Sequence, residues 1–308
     1  MITKNTCITF VCNKAYLNYA LFIADQLSHQ KNSNFDIVIC SSENIGFLVP
    51  QQFKFIHIET EEFTKYLPTI PRLQKYAYWR IPAIEILSKI YNKIIYLDTD
   101  TYINTQNIED LFKIDIGNHV IAAVRDIHQS TRPNRISNEF SALKLPNYPY
   151  FNSGMLIINS KEWNINNYYE KIKSISNLYS KFLYCHDQSL LNIAAAGNWL
   201  EISPIWNWQY NYKNSFLTEF ISPKIIHFIG ENKIWNDINN SIPLRYKESY
   251  QSFNGDNLLK TSNSNILNKN LFINLLKNIY YFDNYKRYLS KFKTTTSVIN
   301  HNNKTDQE

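Results

Sequence analysis

The run KIIYLDTDTYI, residues 93–103, decides the architecture. Lys93–Leu97 is apolar after its first residue and does not alternate with polar positions, which marks a strand covered on both faces. It ends in Asp98-Thr99-Asp100, and a period of two sets both carboxylates on one side of the chain. Two acids at the end of a buried strand are costly unless compensated. A hard divalent cation that also bridges to phosphate oxygens compensates both charges at once. Short apolar, β-rich runs also occur at 7–12 (CITFVC), 35–40 (FDIVIC), 53–58 (FKFIHI), 119–124 (HVIAAV), 154–159 (GMLIIN) and 224–229 (KIIHFI), several of them hydrophobic throughout. Stretches with helical periodicity lie between them at 15–29, 73–90, 168–182 and 188–196, with Pro82 dividing the second into a short helix through Arg80 and a helix restarting near Pro82. The expected fold is α/β, a Rossmann-like, mainly parallel sheet flanked by helices. In such sheets ligands gather beyond the carboxyl ends of the strands.

A second run, KIIHFIGENKIW at 224–235, repeats the arrangement. A buried strand delivers His227, Gly230 permits close backbone approach, and Lys233 follows with a compact positive charge, so the segment reads as a diphosphate clamp. Alone, His227 is a satisfied core histidine and Asp-x-Asp a pair of capping acids. Together, an imidazole and two carboxylates suit Mn²⁺ better than Mg²⁺, and Asp98, Asp100 and His227 form a candidate metal triad.

The 308 residues are 44% hydrophobic and 15% aromatic, enough for a sizeable core. Only 6 glycines occur, with no GxGxxG and no GxxxxGK[ST] string, which argues against nicotinamide dehydrogenases and P-loop NTPases. Cys7, Cys12, Cys40 and Cys185 show neither CxxC spacing nor a zinc-type histidine and read as reduced, mostly buried thiols. No apolar run reaches the roughly 18 residues of a membrane span, and no signal-peptide pattern opens the sequence, so a cytoplasmic location is expected. The net charge of +6 is concentrated between Lys260 and Lys293, where seven cations face the single acid Asp283. Aromatics interleave with those cations at helical spacing, among them Tyr285, Tyr288 and Phe292. Two readings stay open: a basic aromatic helix in an anionic membrane interface, or a helix packed on its own domain with its cations solvated. Nothing accompanies the patch that reads nucleic acid. Residues 294–308 carry no apolar period and are expected to be a disordered tail.

The strings YLDTDTYI, FNSGMLII, HDQSLLN and HFIGENKIW resemble, in order and spacing, glycosyltransferase family 8, the retaining enzymes that include glycogenin and bacterial lipooligosaccharide α-galactosyltransferases. The opening ITFVCNKAYLNYAL resembles the glycogenin type, and the likeness covers about residues 7 to 250. It implies a GT-A fold over 1–255, a UDP-sugar donor, Mn²⁺ or Mg²⁺ on Asp98, Asp100 and His227, and retention of anomeric configuration. By the same resemblance, Asn13 and Tyr16 meet the nucleotide, and Asp98, Thr99 and Asp100 also meet the ribose and diphosphate. Gly230 and Lys233 hold the diphosphate, and Arg80 or Lys75 touches diphosphate or sugar. Asp126, Asn152 and Ser153 meet the sugar hydroxyls. Asp187 and Gln188 are the catalytic pair beside the anomeric carbon, with the Gln188 amide oxygen stabilising positive charge during front-face attack. Two departures from the galactosyltransferase branch matter. Asn13 replaces an acid, and Ser189 stands where that branch has a further carboxylate.

The resemblance implies transfer of galactose or glucose from a UDP-hexose to a saccharide or glycolipid acceptor, in lipopolysaccharide, lipooligosaccharide or capsule synthesis. The 256–293 segment would hold the enzyme at the inner face of the cytoplasmic membrane. Alternatives are a self-glucosylating transferase and a non-catalytic saccharide- or membrane-binding protein. A dehalogenase-like phosphohydrolase needs Thr or Val where Tyr102 stands.

Overall fold

The computed structural model describes residues 5–30, 34–65, 67–68, 75–210, 217–237, 241–255 and 283–301. Eleven strands occur among the described residues: β1 (Thr6–Val11), β2 (Asp36–Ser41), β3 (Lys54–His57), β4 (Lys93–Leu97), β5 (Thr101–Ile103), β6 (Ile121–Arg125), β7 (Phe151–Asn159), β8 (Leu200–Ile202), β9 (Trp208–Tyr210), β10 (Ile225–Phe228) and β11 (Val298–Asn300). Eight form one sheet in the order β11-β8-β6-β7-β4-β1-β2-β3, and β5-β10-β9 form a second. The large sheet is parallel at β3-β2-β1-β4 and β6-β8, while β7 runs antiparallel to both β4 and β6.

The uninterrupted apolar runs are explained by their two-sided cover. Ile8, Phe10, Ile95, Leu97, Met155 and Ile157 join the core on one face, and Cys7, Ile94, Tyr96, Leu156 and Ile158 the core on the other. Pro82 is the third residue of the helix Arg80–Leu87, within the first turn, where no backbone N–H is needed. That helix begins two residues earlier than expected and follows a 3₁₀ turn, Lys75–Trp79.

Three expectations are corrected. KIIHFI joins the second sheet, not the first. β7 starts at Phe151, three residues before the expected run 154–159, so Asn152 and Ser153 lie in the strand. Its antiparallel direction sets its first residues beside the carboxyl ends of β4 and β6, with Leu97 opposite Met155 and Arg125 opposite Phe151.

The third correction concerns the C-terminus. Val298–Asn300 pairs antiparallel with β8 at the edge of the main sheet, where a disordered tail was expected. Residues 283–289 are helical. Tyr285 and Tyr288 are buried in the domain core, Tyr285 lies against Trp208 at 5.4 Å, and Leu289 and Phe292 pack beside them. The aromatic face of this part is therefore turned inward, while Lys286, Arg287, Lys291 and Lys293 are exposed. The rest of the basic segment, 256–282, lies outside the described residues, as does 302–308. No helix among the described residues is long and apolar enough to cross a membrane. Cys7, Cys12 and Cys40 are buried free thiols, and Cys185 is free and exposed.

Glu201 fastens the tail. It is fully buried, takes two bonds from Arg125 at 3.0 and 2.6 Å, and meets His301 Nε2 at 2.8 Å. Burial alone would raise its pKa, but His301 and the Arg125 guanidinium outweigh burial and bring it down to about 2. The folded value lies below the unfolded one, so the stabilisation is present above about pH 4.5 and fades as pH falls toward 2. Glu201→Gln is expected to cost about 3 kcal/mol at pH 7, since it breaks a buried ion pair. Unfolding curves of both proteins at pH 7 and pH 3 check this. The gap should narrow at pH 3.

Candidate active site

After β4, Asp98-Thr99-Asp100 turns the chain out of the main sheet, and Thr101 Oγ1 closes the turn by donating to the Asp98 carbonyl at 2.9 Å. The chain then enters β5, which pairs antiparallel with β10 so that Thr101 lies opposite His227. Phe228 N–H donates to the Asp100 carbonyl at 3.0 Å. This ladder carries the imidazole to the two acids. His227 Nε2 stands 3.2 Å from Asp100 Oδ1 and 3.7 Å from Asp98 Oδ2, and one ligand atom from each of the three residues lies within 4.8 Å of the others.

Gly154 makes the approach possible. A Cβ there would fall 2.1 Å from His227 Cε1 and 3.0 Å from Asp98 Oδ2. Its carbonyl also accepts from Asp98 N–H at 2.8 Å. The sequence places Gly154 in the strand run 154–159 but gives no sign of this role.

The residues fit a divalent cation. Asp100 Oδ1 is buried and accepts no hydrogen bond, and the donor set of two carboxylates and one imidazole suits a first-row transition ion. Lys233 supplies positive charge here, with Nζ 2.5 Å from Asp100 Oδ2 and 2.5 Å from the Phe228 carbonyl. Burial alone would raise the Asp100 pKa, but the Lys233 ammonium holds it well below the usual carboxylate range.

Arg80 opens its helix inside the site and is only 7% exposed, so it is no surface charge. Its guanidinium stacks over Tyr96 at 4.4 Å, meets Asp98 at 2.8 Å and Asp187 at 3.1 Å, and donates to the Ser153 carbonyl at 2.8 Å. These bonds commit it to holding two carboxylates in place. Tyr96 OH adds a 2.6 Å bond to Asp98. Asp187 shares that one guanidinium with Asp98, and burial wins, raising its pKa to about 6 despite Arg80. Ser153 Oγ also donates to Asp187, at 3.2 Å.

Gln188 is the second residue of the helix Asp187–Ala195. Its Oε1 accepts from Asn152 Nδ2 at 3.2 Å and Ser153 N–H at 3.0 Å, and its Nε2 donates to Asp126 Oδ2 at 3.4 Å. The oxygen expected to stabilise a cationic sugar is thus already engaged by two donors. Asp126 directly follows β6 and caps the next turn through His128 N–H at 2.9 Å. Ser189 Oγ donates to the buried Glu139 at 2.5 Å, so a carboxylate from another element stands beside the position where the galactosyltransferase branch has its own.

The remaining candidates lie around this centre. Asn13 is buried, and its side chain caps the turn that carries Tyr16, accepting from Tyr16 N–H at 3.2 Å. Tyr16 is 44% exposed and meets the Trp235 ring edge-on at 6.5 Å. Trp235 stacks on Tyr19 at 3.7 Å and anchors the loop that carries Gly230 (φ +81°) and Lys233. Thr99 is half-buried in the turn, and Lys75 is exposed at the start of the 3₁₀ turn that leads to Arg80. Neither belongs to the carboxylate cluster.

The model of the family described as Glycosyl transferase family 8 matches residues 7–239. The chain belongs to glycosyltransferase family 8. General stress protein A of Bacillus subtilis (strain 168) is 28% identical over 221 residues, 67% of this chain and 73% of that protein. Glycosyltransferase GlyF of Streptococcus pneumoniae serotype 4 is 26% identical over 195 residues, 61% of this chain and 44% of GlyF, so the chain spans less than half the length of that relative. The crystal structure of galactosyltransferase LgtC with donor and acceptor sugar analogues shares the fold at a TM-score of 0.64 and 17% identity, covering 80% of this chain and 95% of that one. The family 8 chain therefore has the GT-A architecture and glycosyltransferase activity expected of it.

Gly154→Ala tests the packing that forms the site. The added methyl should push His227 off the acids and weaken Mn²⁺ binding at least about tenfold, the scale seen when a metal ligand loses its orientation. Titration calorimetry without nucleotide checks it, with circular dichroism to confirm that the fold is kept.

Proposed function

We propose that this family 8 enzyme is a retaining, divalent-metal-dependent transferase that moves a hexose, galactose or glucose, from a UDP-sugar to a saccharide or glycolipid acceptor. The observation that carries this reading is the convergence of Asp98, Asp100 and His227 from two different sheets. Asp98 and Asp100 would hold Mn²⁺ with His227, and the ion, when bound, neutralises charge on the departing diphosphate.

The chain's own residues supply the rest. Arg80 keeps Asp98 and Asp187 in fixed positions. Lys233 has a flexible stem and, on leaving Asp100, offers its ammonium to the diphosphate, with Gly230 leaving open space for the phosphates. Tyr16 and Asn13 border the nucleotide. Asp126, Asn152, Ser153, Asp187 and Gln188 form a hydrogen-bonding wall for the sugar, with Gln188 fixed on β7 as part of that wall and not as a nucleophile. The bond from C1 to the β-phosphate oxygen breaks, and the acceptor oxygen bonds to C1 on the same face. The acceptor's proton passes to the departing phosphate oxygen. LgtC, a neighbour of the same fold, is a galactosyltransferase solved with donor and acceptor sugar analogues, which supports a hexosyl donor.

A panel of UDP-sugars with Mn²⁺ tests the reading by slow donor hydrolysis and by transfer. One UDP-hexose should be turned over, and proton NMR of the product should show the α-anomer. Asp100→Asn and His227→Ala should each lower turnover about 100-fold or more, in line with loss of a charge-stabilising group. Undiminished turnover in Asp100→Asn removes the metal assignment.

The exposed cations of 283–293 support a contact with anionic lipid at the inner membrane face that is electrostatic only, because Tyr285 and Tyr288 are held in the core. Co-sedimentation with phosphatidylserine vesicles should be lost between about 0.1 and 1 M salt, as the screening length shrinks from roughly 10 to 3 Å. Binding that survives 1 M salt would point instead to apolar insertion.

A further inference from the structure

The polar atoms behind the acids form one continuous chain. His227 Nδ1 lies 3.0 Å from Asn207 Oδ1, and Asn207 Nδ2 lies 2.8 Å from Asn152 Oδ1. Asn152 Nδ2 lies 3.2 Å from Gln188 Oε1, and Gln188 Nε2 lies 3.4 Å from Asp126 Oδ2. Asn207 is fully buried, directly after the 3₁₀ turn Pro204–Trp206 and before β9.

Which end of each amide is oxygen is ordinarily a matter of assignment. Here two backbone donors settle it. Gly154 N–H points at Asn152 Oδ1 at 3.0 Å, so that atom must be the acceptor, and the Asn207 atom facing it must be the NH₂. The Asn207 oxygen then faces His227, and Nδ1 must carry the ring proton. Ser153 N–H likewise points at Gln188 Oε1 at 3.0 Å, which turns the Gln188 NH₂ toward Asp126. Consecutive amides of β7 thus orient every link. With the proton on Nδ1, the Nε2 lone pair faces Asp98 and Asp100 with no hydrogen between them.

We propose that Asn207 is a positioning residue that fixes the metal-binding tautomer of His227 with its oxygen and the Asn152–Gln188 pair with its NH₂, so that one buried amide sets both halves of the site. The proposal deepens the transferase reading and rests on it for the sugar half. The metal half is read without turnover.

Asn207→Asp and Asn207→Ala separate the two roles in the full chain. Aspartate still accepts from His227 Nδ1–H but cannot donate to Asn152, whereas alanine does neither. At pH 8, nitrogen NMR of the imidazole should show the Nδ1–H tautomer in the parent and in Asn207→Asp, and its loss in Asn207→Ala. Mn²⁺ affinity, titrated without nucleotide, should stay within about threefold in Asn207→Asp and fall about 10- to 100-fold in Asn207→Ala. With donor present, kcat should fall about tenfold in Asn207→Asp with little change in the Mn²⁺ requirement, as expected for misplaced reacting groups. An alanine variant that keeps the parent tautomer and Mn²⁺ affinity overturns the proposal. Should alanine fail to fold, the aspartate variant decides: lost tautomer, or kcat equal to the parent, overturns it. A parent enzyme with no activity on any UDP-sugar sinks the transferase reading, while the tautomer and Mn²⁺ comparisons still judge the role at His227.

Discussion

Two carboxylates that end a buried strand repel each other, and the surrounding structure answers that repulsion. Arg80 meets Asp98 from the helix side, Lys233 meets Asp100 from the loop after β10, and an imidazole arrives between them from a second sheet. None of these partners neighbours the acids in sequence. The fold assembles them by sending the chain straight from the end of β4 into β5, whose ladder with β10 fixes His227 one residue beyond Asp100. The bare backbone at Gly154 admits the ring. A buried cluster of this kind is expensive when half complete and rigid when satisfied.

Much of this was legible because hydrophobic runs are strong signals. Seven of the strands follow from short apolar stretches, several of them uninterrupted, and Asp98, Asp100 and His227 were singled out because each ends or interrupts such a stretch. The short strands were not. β5, β8, β9 and β11 have three residues each, too few to display a period, and their pairing is decided by the sheet they join. The direction of β7, nine residues long, was hidden for a different reason: an apolar run reads alike in a parallel or an antiparallel place. Gly154 and Asn207 escaped notice because neither bears charge. The signal for Asn207 was present, a polar residue inside the aromatic string PIWNWQY, where Gln209 is also buried and binds Ile127 N–H and the Arg125 carbonyl.

The basic, aromatic end of the chain shows how composition can mislead. Cations interleaved with tyrosines suit a membrane interface and a packed helix equally well, because both need one apolar and one solvated face. For residues 283–292 the domain core takes the apolar face. The strand that follows continues this docking along β8, and the buried Glu201, with Arg125 and His301, ties it down.

The alternation of side chains along β10 has an evolutionary consequence. A slip of one residue against β5 would offer Ile226 or Phe228 to the acids in place of His227, exchanging a ligand for an oily wall. Insertions and deletions that shift this register are therefore excluded, whereas surface loops remote from it can grow or shrink at small cost. Diversification of such a chain must run through its loop lengths while the short ladder stays frozen.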